Sequence, residues 1–309
     1  MLWEFSAQQF IYCKYYVGVL AACLYTNAMH LGLVSDYNRT PSILWTRGGF
    51  TFGWDVTWTA AGNIAVSDSN ANAVSLYNTA GEEITNTSTQ GVELRYPYGI
   101  TYHKTWHGGV IVVVEERRCN LTALDPVSLH KVDTIDLKQH CIRLFGVTTL
   151  PSGDMAVSGD IDMGPGVIVV SLSGEIQYKW KLPTTAEPCY IMSTSDDHLL
   201  VTVFSGNTIC KTTLGGEIIW QTDASTTPNP FGVIQDYTTS HILATYRGNE
   251  HQIWVLSSTT GGRLLQHPLL PPKGVTWNSL FSLSLQGQHL AVLHGDRLEL
   301  YILHTLQHR

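Results

Sequence analysis

The sequence predicts an all-β protein, a six-bladed β-propeller of four-stranded antiparallel blades that an N-terminal strand at about 41–47 closes. Short runs rich in β-branched residues recur between glycine-containing turns along the chain. An aromatic–Gly–β-branched marker returns every 42 to 50 residues, a period typical of propeller blades. Only 14% of the 309 residues are charged, against about 25% in an average domain, which fits a chain dominated by buried strands.

The first blade is the clearest repeat unit. Two β-rich runs, at 64–67 and 74–77, lie between a Gly-Asn turn at Gly62 and a Gly-Glu turn at Gly81. The sequence Gly-Asn-Ile-Ala-Val-Ser-Asp-Ser, followed by a loop, Val-Ser-Leu and a glycine, closely resembles one NHL repeat. The resemblance covers roughly residues 41–303 and implies a β-propeller. In animals such propellers often form the C-terminal part of tripartite-motif ubiquitin ligases, which suggests a role in substrate recognition. The RING and B-box zinc patterns of those ligases are absent from this sequence.

The marker positions define the six blades. The aromatic–Gly pair is complete in the second, third and fifth blades and degenerate in the other three. Glycine is expected there because inner strands crowd around the axis, where a Cβ atom would collide with a neighbour. The six positions are Asp55, Gly99, Gly146, Tyr190, Gly232 and Ser282.

A second strand follows each marker at a steady offset, and these strands are predicted at 64–67, 110–114, 155–158, 199–203, 242–245 and 290–293. A third strand comes next, as at 167–172, and a Gly-Glu or Gly-Gly turn leads to the fourth, as at 174–180 and 216–220. The sixth repeat lacks this fourth strand. Residues 41–46 resemble 217–222, so the N-terminal segment is predicted to pair with 298–302 and complete the last blade without an open sheet edge.

Three segments are predicted along the chain: a hydrophobic leader at 1–40, the propeller at 41–303 and a tail at 304–309. Residues 15–34 carry no charged side chain and are long enough to contact or span a membrane. Thr26, Asn27 and His30 weaken the membrane interpretation. A signal peptide, a membrane anchor and a poorly structured leader are therefore left open.

Charge and metal-ligand patterns exclude several function classes. The net charge is −7, and the basic pair Arg117-Arg118 directly follows two glutamates, so no basic face for nucleic acid is expected. The six cysteines contain no C-x-x-C pair, and the thirteen histidines show no metal-ligand spacing. We expect a monomer without a metal or cofactor, and we expect its partner to be a protein or peptide.

Propellers bind on the face formed by the loops that enter strand one and the loops that join strands two and three, here called the top face. Aromatic residues at the mouths of the inner strands suit peptide anchoring, although each could simply pack between blades. For Asp68 the ordinary role is a side-chain cap of its loop. The candidate ligand-binding residues are Trp54, Asp68, Asn70, Tyr98, Glu115, Arg118, Phe145, Asp160, Phe231, Tyr246, Arg247 and His294.

The sequence favours a non-catalytic protein-interaction module that binds a protein or peptide ligand on the top face. The alternative is an exported or membrane-anchored propeller with metal-dependent hydrolase or lyase activity. Six-bladed lactonases and the NHL-like amidating lyase hold a divalent metal near the axis with carboxylates, amides or histidines. Asp68, Glu115 and Asp160 fall at matching positions in blades one to three. Blades four to six instead carry Phe204, Tyr246 and His294, so no catalytic residue is assigned.

Overall fold

The computed structural model describes residues 41–183, 185–223, 229–246, 252–264, 269 and 280–303. Their strands form six separate antiparallel sheets that follow one another along the chain. The innermost strand of each sheet contacts the innermost strand of the next, and the last contacts the first. The fold is therefore a closed ring of six blades, and the six-bladed β-propeller that the sequence predicts is confirmed.

The first strand of the described residues, β1 at Ser42–Gly48, belongs to the last blade. Blade one holds β2 to β5, at Gly53–Trp58, Ile64–Asp68, Ala73–Tyr77 and Glu83–Asn86. Blade two holds β6 to β9, at Pro97–His103, Val110–Glu115, Asn120–Leu124 and Lys131–Asp136. Blade three holds β10 to β13, at Cys141–Thr149, Met155–Ile161, Gly164–Val170 and Ile176–Lys181.

Blade four holds β14 to β17, at Pro188–Ser193, Leu199–Val203, Thr208–Thr212 and Ile218–Gln221. Blade five holds β18 to β20, at Pro230–Gln235, Ile242–Tyr246 and Gln252–Leu256. Two isolated β-bridges, Leu256 with Arg263 and Ile253 with Leu269, lie on the outer side of β20, where a fourth strand is expected. Blade six holds β21 to β23, at Leu280–Gln286, His289–His294 and Arg297–Ile302, with β1 outermost.

Two single-turn 3-10 helices, Trp106–Gly108 and Glu116–Arg118, are the helices of blade two. Among the residues described here, none lies in a helix long and apolar enough to cross a membrane. The predicted leader at 1–40, with its apolar stretch 15–34, and the tail at 304–309 lie outside these residues.

The chain ends of the propeller close on each other as predicted. Strand β1 pairs antiparallel with β23, from Ser42 opposite Ile302 to Gly48 opposite Arg297. The observed strand begins and ends within two residues of the predicted 41–47. This pairing satisfies the outer edge of β23, which would otherwise be an open template for another strand.

In each of three blades, a tryptophan on the outermost strand connects the blade to the next one. In each case the indole Nε1 donates a hydrogen bond to a backbone carbonyl in the turn between strands three and four of the following blade, at 2.8 to 3.1 Å. The indole also lies against a glycine of that turn with positive φ, where an added Cβ would sit 2.6 to 2.9 Å from the ring. The pairs are Trp45 with Gly81, Trp180 with Gly216 and Trp220 with Gly261.

The marker glycines allow the inner strands to meet. A Cβ at Gly99 would lie 2.7 Å from both the Gly146 Cα and the Phe145 carbonyl oxygen. These are backbone atoms of the next blade, which cannot rotate away as a side chain could. The ring therefore depends on glycine here for close approach, as expected from the crowding of inner strands.

Candidate functional site

The inner strands bring a cluster of aromatic side chains together at the top end of the axis. The rings of Trp54 and Tyr98 have centroids 4.1 Å apart, and Tyr98 lies 5.9 Å from Phe145. Trp54 also meets Phe231 edge-on at 6.4 Å. Four candidate residues chosen from the sequence are thus neighbours, although they come from four different blades.

Tyr190 completes this aromatic cluster, and sequence reasoning did not select it as a site residue. It occupies the marker position of blade four, where the complete markers carry glycine. Its ring stacks on Trp54 with centroids 6.1 Å apart and planes 8° apart, and its hydroxyl donates a hydrogen bond to the Trp54 carbonyl oxygen. Blades one and four face each other in a ring of six, so the Tyr190 side chain spans the axis. Burial raises the pKa of Tyr190 well above its ordinary value, which keeps the hydroxyl protonated as a donor.

Asp55 lies in the marker position of blade one and joins three blades near the axis. Its carboxylate accepts hydrogen bonds from the Ser282 hydroxyl at 2.5 Å and from the backbone N–H groups of Ile100 and Val56, each at 2.8 Å. Burial raises the pKa of Asp55 from 3.8 to about 7, although these three donors act against the rise. The carboxyl group therefore titrates near neutral pH while it holds blades six, one and two together.

Two of the predicted carboxylates hold the loops of their own blades. Asp68 accepts hydrogen bonds from the Thr51 backbone N–H at 2.6 Å and from the Thr51 hydroxyl at 2.7 Å. Glu115 accepts one from the Thr122 hydroxyl at 2.7 Å and forms an ion pair with Arg118 at 3.0 Å. Both carboxylates are buried. Asp68 therefore has the capping role that its position suggests, and Glu115 and Arg118 are bound to each other.

His294 belongs to a buried network in blade six. Its Nε2 lies 3.1 Å from the carboxylate of Glu299, which also accepts hydrogen bonds from the Tyr301 hydroxyl at 2.5 Å and from Arg297 at 3.0 Å. Burial alone would raise the pKa of Glu299, but the hydrogen bonds from His294 and Tyr301 outweigh it and lower the pKa. The position of these groups on β22 and β23 gives them a structural role in the blade that β1 completes.

The remaining candidates, predicted on the loops between strands two and three, are spread around the ring, and two of them lie in strands instead: Asp160 on β11 and Tyr246 at the end of β19. Asn70 is exposed, Asp160 is half-buried and Tyr246 is buried, each in a different blade, and Arg247 lies outside the described residues. Across the described ranges, no three His, Cys, Asp or Glu side chains come close enough together to hold a metal ion. The three carboxylates predicted at matching positions therefore do not form one metal-binding group in this part of the chain.

An asparagine two residues beyond Asn70 has the clearer role at this loop. The Asn72 side-chain oxygen accepts a hydrogen bond from the backbone N–H of Tyr96 at 2.8 Å. Asn207 makes the same contact with the N–H of Asn229 at 2.8 Å. Tyr96 and Asn229 both have positive φ and directly precede the proline that begins an inner strand. Because the same hydrogen bond occurs at two places in the ring, we infer that these asparagines hold one blade to the next.

Charged and aromatic side chains form a continuous chain of contacts over blades two to four on the top face. The Arg117 guanidinium lies 4.8 Å from the centroid of the Tyr96 ring and 3.4 Å from a carboxylate oxygen of Glu116. Arg143 lies 3.8 Å from the other Glu116 oxygen and also pairs with Glu187. Burial raises the pKa of Glu116, against the effect of Arg117 and Arg143.

Exposed apolar side chains lie on the same face as these arginines. Ile142 is 62% exposed, Met163 is 45% exposed and Tyr96 is 37% exposed. Ile142 falls where the pairing between β10 and β11 shifts register, so its side chain leaves the regular alternation of the strand. We call Tyr96, Arg117, Ile142, Arg143 and Met163 the top-face patch.

No protein-family model matches the sequence, and no curated protein matches it. Solved structures do match. Virginiamycin B lyase from Staphylococcus aureus is 16% identical with a TM-score of 0.57, and the match covers 84% of this chain and 98% of the lyase. A putative gluconolactonase is 14% identical with a TM-score of 0.66, covering 87% and 93% of the two chains. The β-propeller domain of Cps50 (Swd1) from Myceliophthora thermophila is 13% identical with a TM-score of 0.57, covering 81% and 83%. At these identities the likeness shows the fold alone.

Proposed function

We propose that this propeller is a non-catalytic protein-interaction module that binds a protein or peptide through its top face. The observation that carries the proposal is the top-face patch, in which exposed Ile142 and Met163 lie on the same face of the propeller as Arg117 and Arg143. Tyrosine, methionine and arginine are enriched in protein interfaces, and tyrosine and arginine supply many of the residues that dominate binding energy.

The internal bonding of the carboxylates also favours binding over catalysis. Asp68 and Glu115 are buried and already accept hydrogen bonds from their own loops. Asp55 bridges three blades. A general acid or base needs to reach a substrate proton, and these groups are committed to the scaffold.

The charge of the patch favours a protein partner over a nucleic acid. Arg143 contacts both Glu116 and Glu187, and Arg117 contacts Glu116 as well. Phosphate binding would require arginines whose charge is not already balanced, and it would be opposed by the net charge of −7. A partner with its own mixture of apolar and charged side chains complements this surface better.

The NHL-like sequence of the first blade suggests a more specific role, in substrate recognition for a ubiquitin ligase. Because fold is shared far more widely than function, this role rests on the resemblance of that blade. A second candidate, a metal-dependent hydrolase or lyase, is favoured by the structural likeness to a lyase and a putative gluconolactonase.

The experiment uses the full chain as bait in affinity capture from a native extract, with and without EDTA. Ile142→Asp introduces a charge at the most exposed apolar side chain of the patch and should abolish capture of any partner that binds there. Val127→Asp is the matched control, because Val127 is 70% exposed and follows strand three, at the opposite face. Partners retained by Val127→Asp, lost with Ile142→Asp and unaffected by EDTA support the proposal. Capture that is unchanged by Ile142→Asp, or that EDTA abolishes, contradicts it.

A further inference from the structure

The face opposite the top face contains a cavity of about 540 Å³, within the roughly 300–1,000 Å³ range of small-molecule sites. It is lined by the turns that leave the inner strands of blades two to five. His103 ends β6, Thr149 ends β10, Ser193 ends β14, and Tyr237 follows β18. We call this the bottom cavity. It lies at the other end of the inner strands from the aromatic cluster.

Hydrogen bonds between neighbouring blades hold the walls of the bottom cavity. His103 Nδ1 accepts from a backbone N–H, so its Nε2 carries the proton and donates to the Gly153 carbonyl of blade three at 2.8 Å. The Ser193 hydroxyl of blade four donates to the Thr149 carbonyl of blade three at 2.7 Å. The Ser195 N–H donates to Gln235 of blade five at 2.8 Å. The site is therefore preorganised, which reduces the entropy cost of binding a small ligand.

Two exposed hydroxyls of the lining can accept hydrogen bonds from a ligand. The Ser152 hydroxyl donates its proton to Asp154 at 3.0 Å and accepts from the Asp154 N–H at 3.2 Å, so one of its lone pairs remains for a ligand. The Ser195 side chain is exposed as well. Ser193 and Thr194 are buried, and their hydroxyls are bonded within the protein. A ligand that fits this wall therefore brings hydrogen-bond donors of its own.

An exposed aromatic ring stands at the rim. Tyr237 is 61% exposed, and its hydroxyl lies 3.4 Å from the Ser193 carbonyl oxygen. The exposed fraction of the ring is available to pack against the apolar face of a ligand. Aromatic surface combined with clustered hydroxyls matches the two surfaces of a sugar ring, its C–H face and its hydroxyl edge.

Charge at the cavity favours a neutral ligand. Among the described lining residues, Lys104 carries an ammonium group, and this positive charge disfavours a cation. The Asp154 carboxylate, which accepts from the Ser152 hydroxyl at 3.0 Å, opposes that charge. Asp196 adds little, because Lys211 pairs with it at 2.7 Å. Asp154, with the net charge of −7, disfavours an anion.

We propose that the bottom cavity binds a neutral carbohydrate of one or two sugar units, with Tyr237 packing on the sugar ring and the exposed Ser152 and Ser195 hydroxyls accepting from its hydroxyl groups. This site is separate from the top-face patch, so its failure would leave the proposed protein-binding function untouched.

The test is saturation-transfer NMR on the full chain with glucose, galactose, mannose, N-acetylglucosamine, maltose and lactose, each at millimolar concentration. Glucose 6-phosphate serves as the anionic comparison. We expect transfer to at least one neutral sugar and weaker transfer to the phosphate. Tyr237→Ala should weaken binding of that sugar by about tenfold, whereas Tyr178→Ala should leave it unchanged. Tyr178 is a matched control because it is 50% exposed on the outermost strand of blade three.

Three outcomes would overturn the proposal: transfer to none of the six neutral sugars, preferential binding of glucose 6-phosphate, or sugar binding that Tyr237→Ala leaves unchanged. Thermal melting of both tyrosine variants checks folding. A second variant, Ser195→Ala, removes a hydroxyl from the lining but keeps the backbone N–H that bonds Gln235. Its sugar affinity should fall severalfold with an unchanged melting temperature.

Discussion

Closure of the ring by β1 gives the sharpest test of the fold. Deleting residues 1–48 removes β1, whereas deleting 1–40 leaves it in place. Strand β1 pairs with β23 over six residue pairs, and a backbone hydrogen bond contributes on the order of 1 kcal/mol net. Trp45 adds the hydrogen bond to the Thr79 carbonyl and its contact with Gly81. The loss should therefore be several kcal/mol, a large part of the roughly 5–15 kcal/mol that stabilises a domain.

The assay is urea unfolding of the two truncated chains, followed by far-UV circular dichroism and tryptophan fluorescence. We expect the 1–40 deletion to unfold at nearly the same urea concentration as the full chain, and the 1–48 deletion to unfold much earlier or not to fold. Trp45→Ala in the full chain should lie between them, because it keeps the strand but loses the packing of the indole, at a cost of about 2–3 kcal/mol. Equal free energies of unfolding for the two deletions would refute the reasoning, since the edge of β23 would then be satisfied in another way.

Three further variants test the axis. Because burial raises the pKa of Asp55 from 3.8 to about 7, its contribution is fully present below pH 4 and lost as pH rises through 7. The wild type should therefore lose up to about 4 kcal/mol of stability relative to Asp55→Asn over that range, as measured by urea unfolding at several pH values; parallel pH profiles would contradict this. Gly99→Ala should cost about 1–3 kcal/mol from overpacking against the backbone of blade three, whereas Gly215→Ala, with its nearest neighbour at 3.9 Å, should cost little. Tyr190→Phe should lower the melting temperature slightly through the lost hydrogen bond to Trp54, and an unchanged melting curve would show that this bond contributes nothing.

The repeat period and the turn glycines were sufficient to predict the fold, because each blade repeats the same local pattern. Closure could be predicted as well, since residues 41–46 resemble the outer strand around Trp220. The pairing of β1 with β23 confirms that reading. These features depend on local sequence and on the need to satisfy an open strand edge.

The site depends on contacts between distant residues, and less of it could be predicted. Tyr190 reaches Trp54, 136 residues earlier in the chain, and no local pattern indicates that pairing. Asn72 rather than Asn70 fastens blade one to blade two, because its backbone has positive φ and brings its side chain to Tyr96. The bottom cavity combines the turns of four blades, and only the closed ring brings them together.

The packing around the axis determines whether binding on one face affects binding on the other. Tyr190 stacks on Trp54 across the ring, so the aromatic cluster lies between the top-face patch and the bottom cavity. Inner strand β10 carries parts of both, with Ile142 and Arg143 at one end and Thr149 at the other, so a ligand on one face could influence the other by shifting this strand. Close contact between Gly99 and the backbone of Gly146 packs β6 tightly against β10 and opposes such a shift. Binding at the two faces should therefore be close to energetically independent, as expected for separated sites.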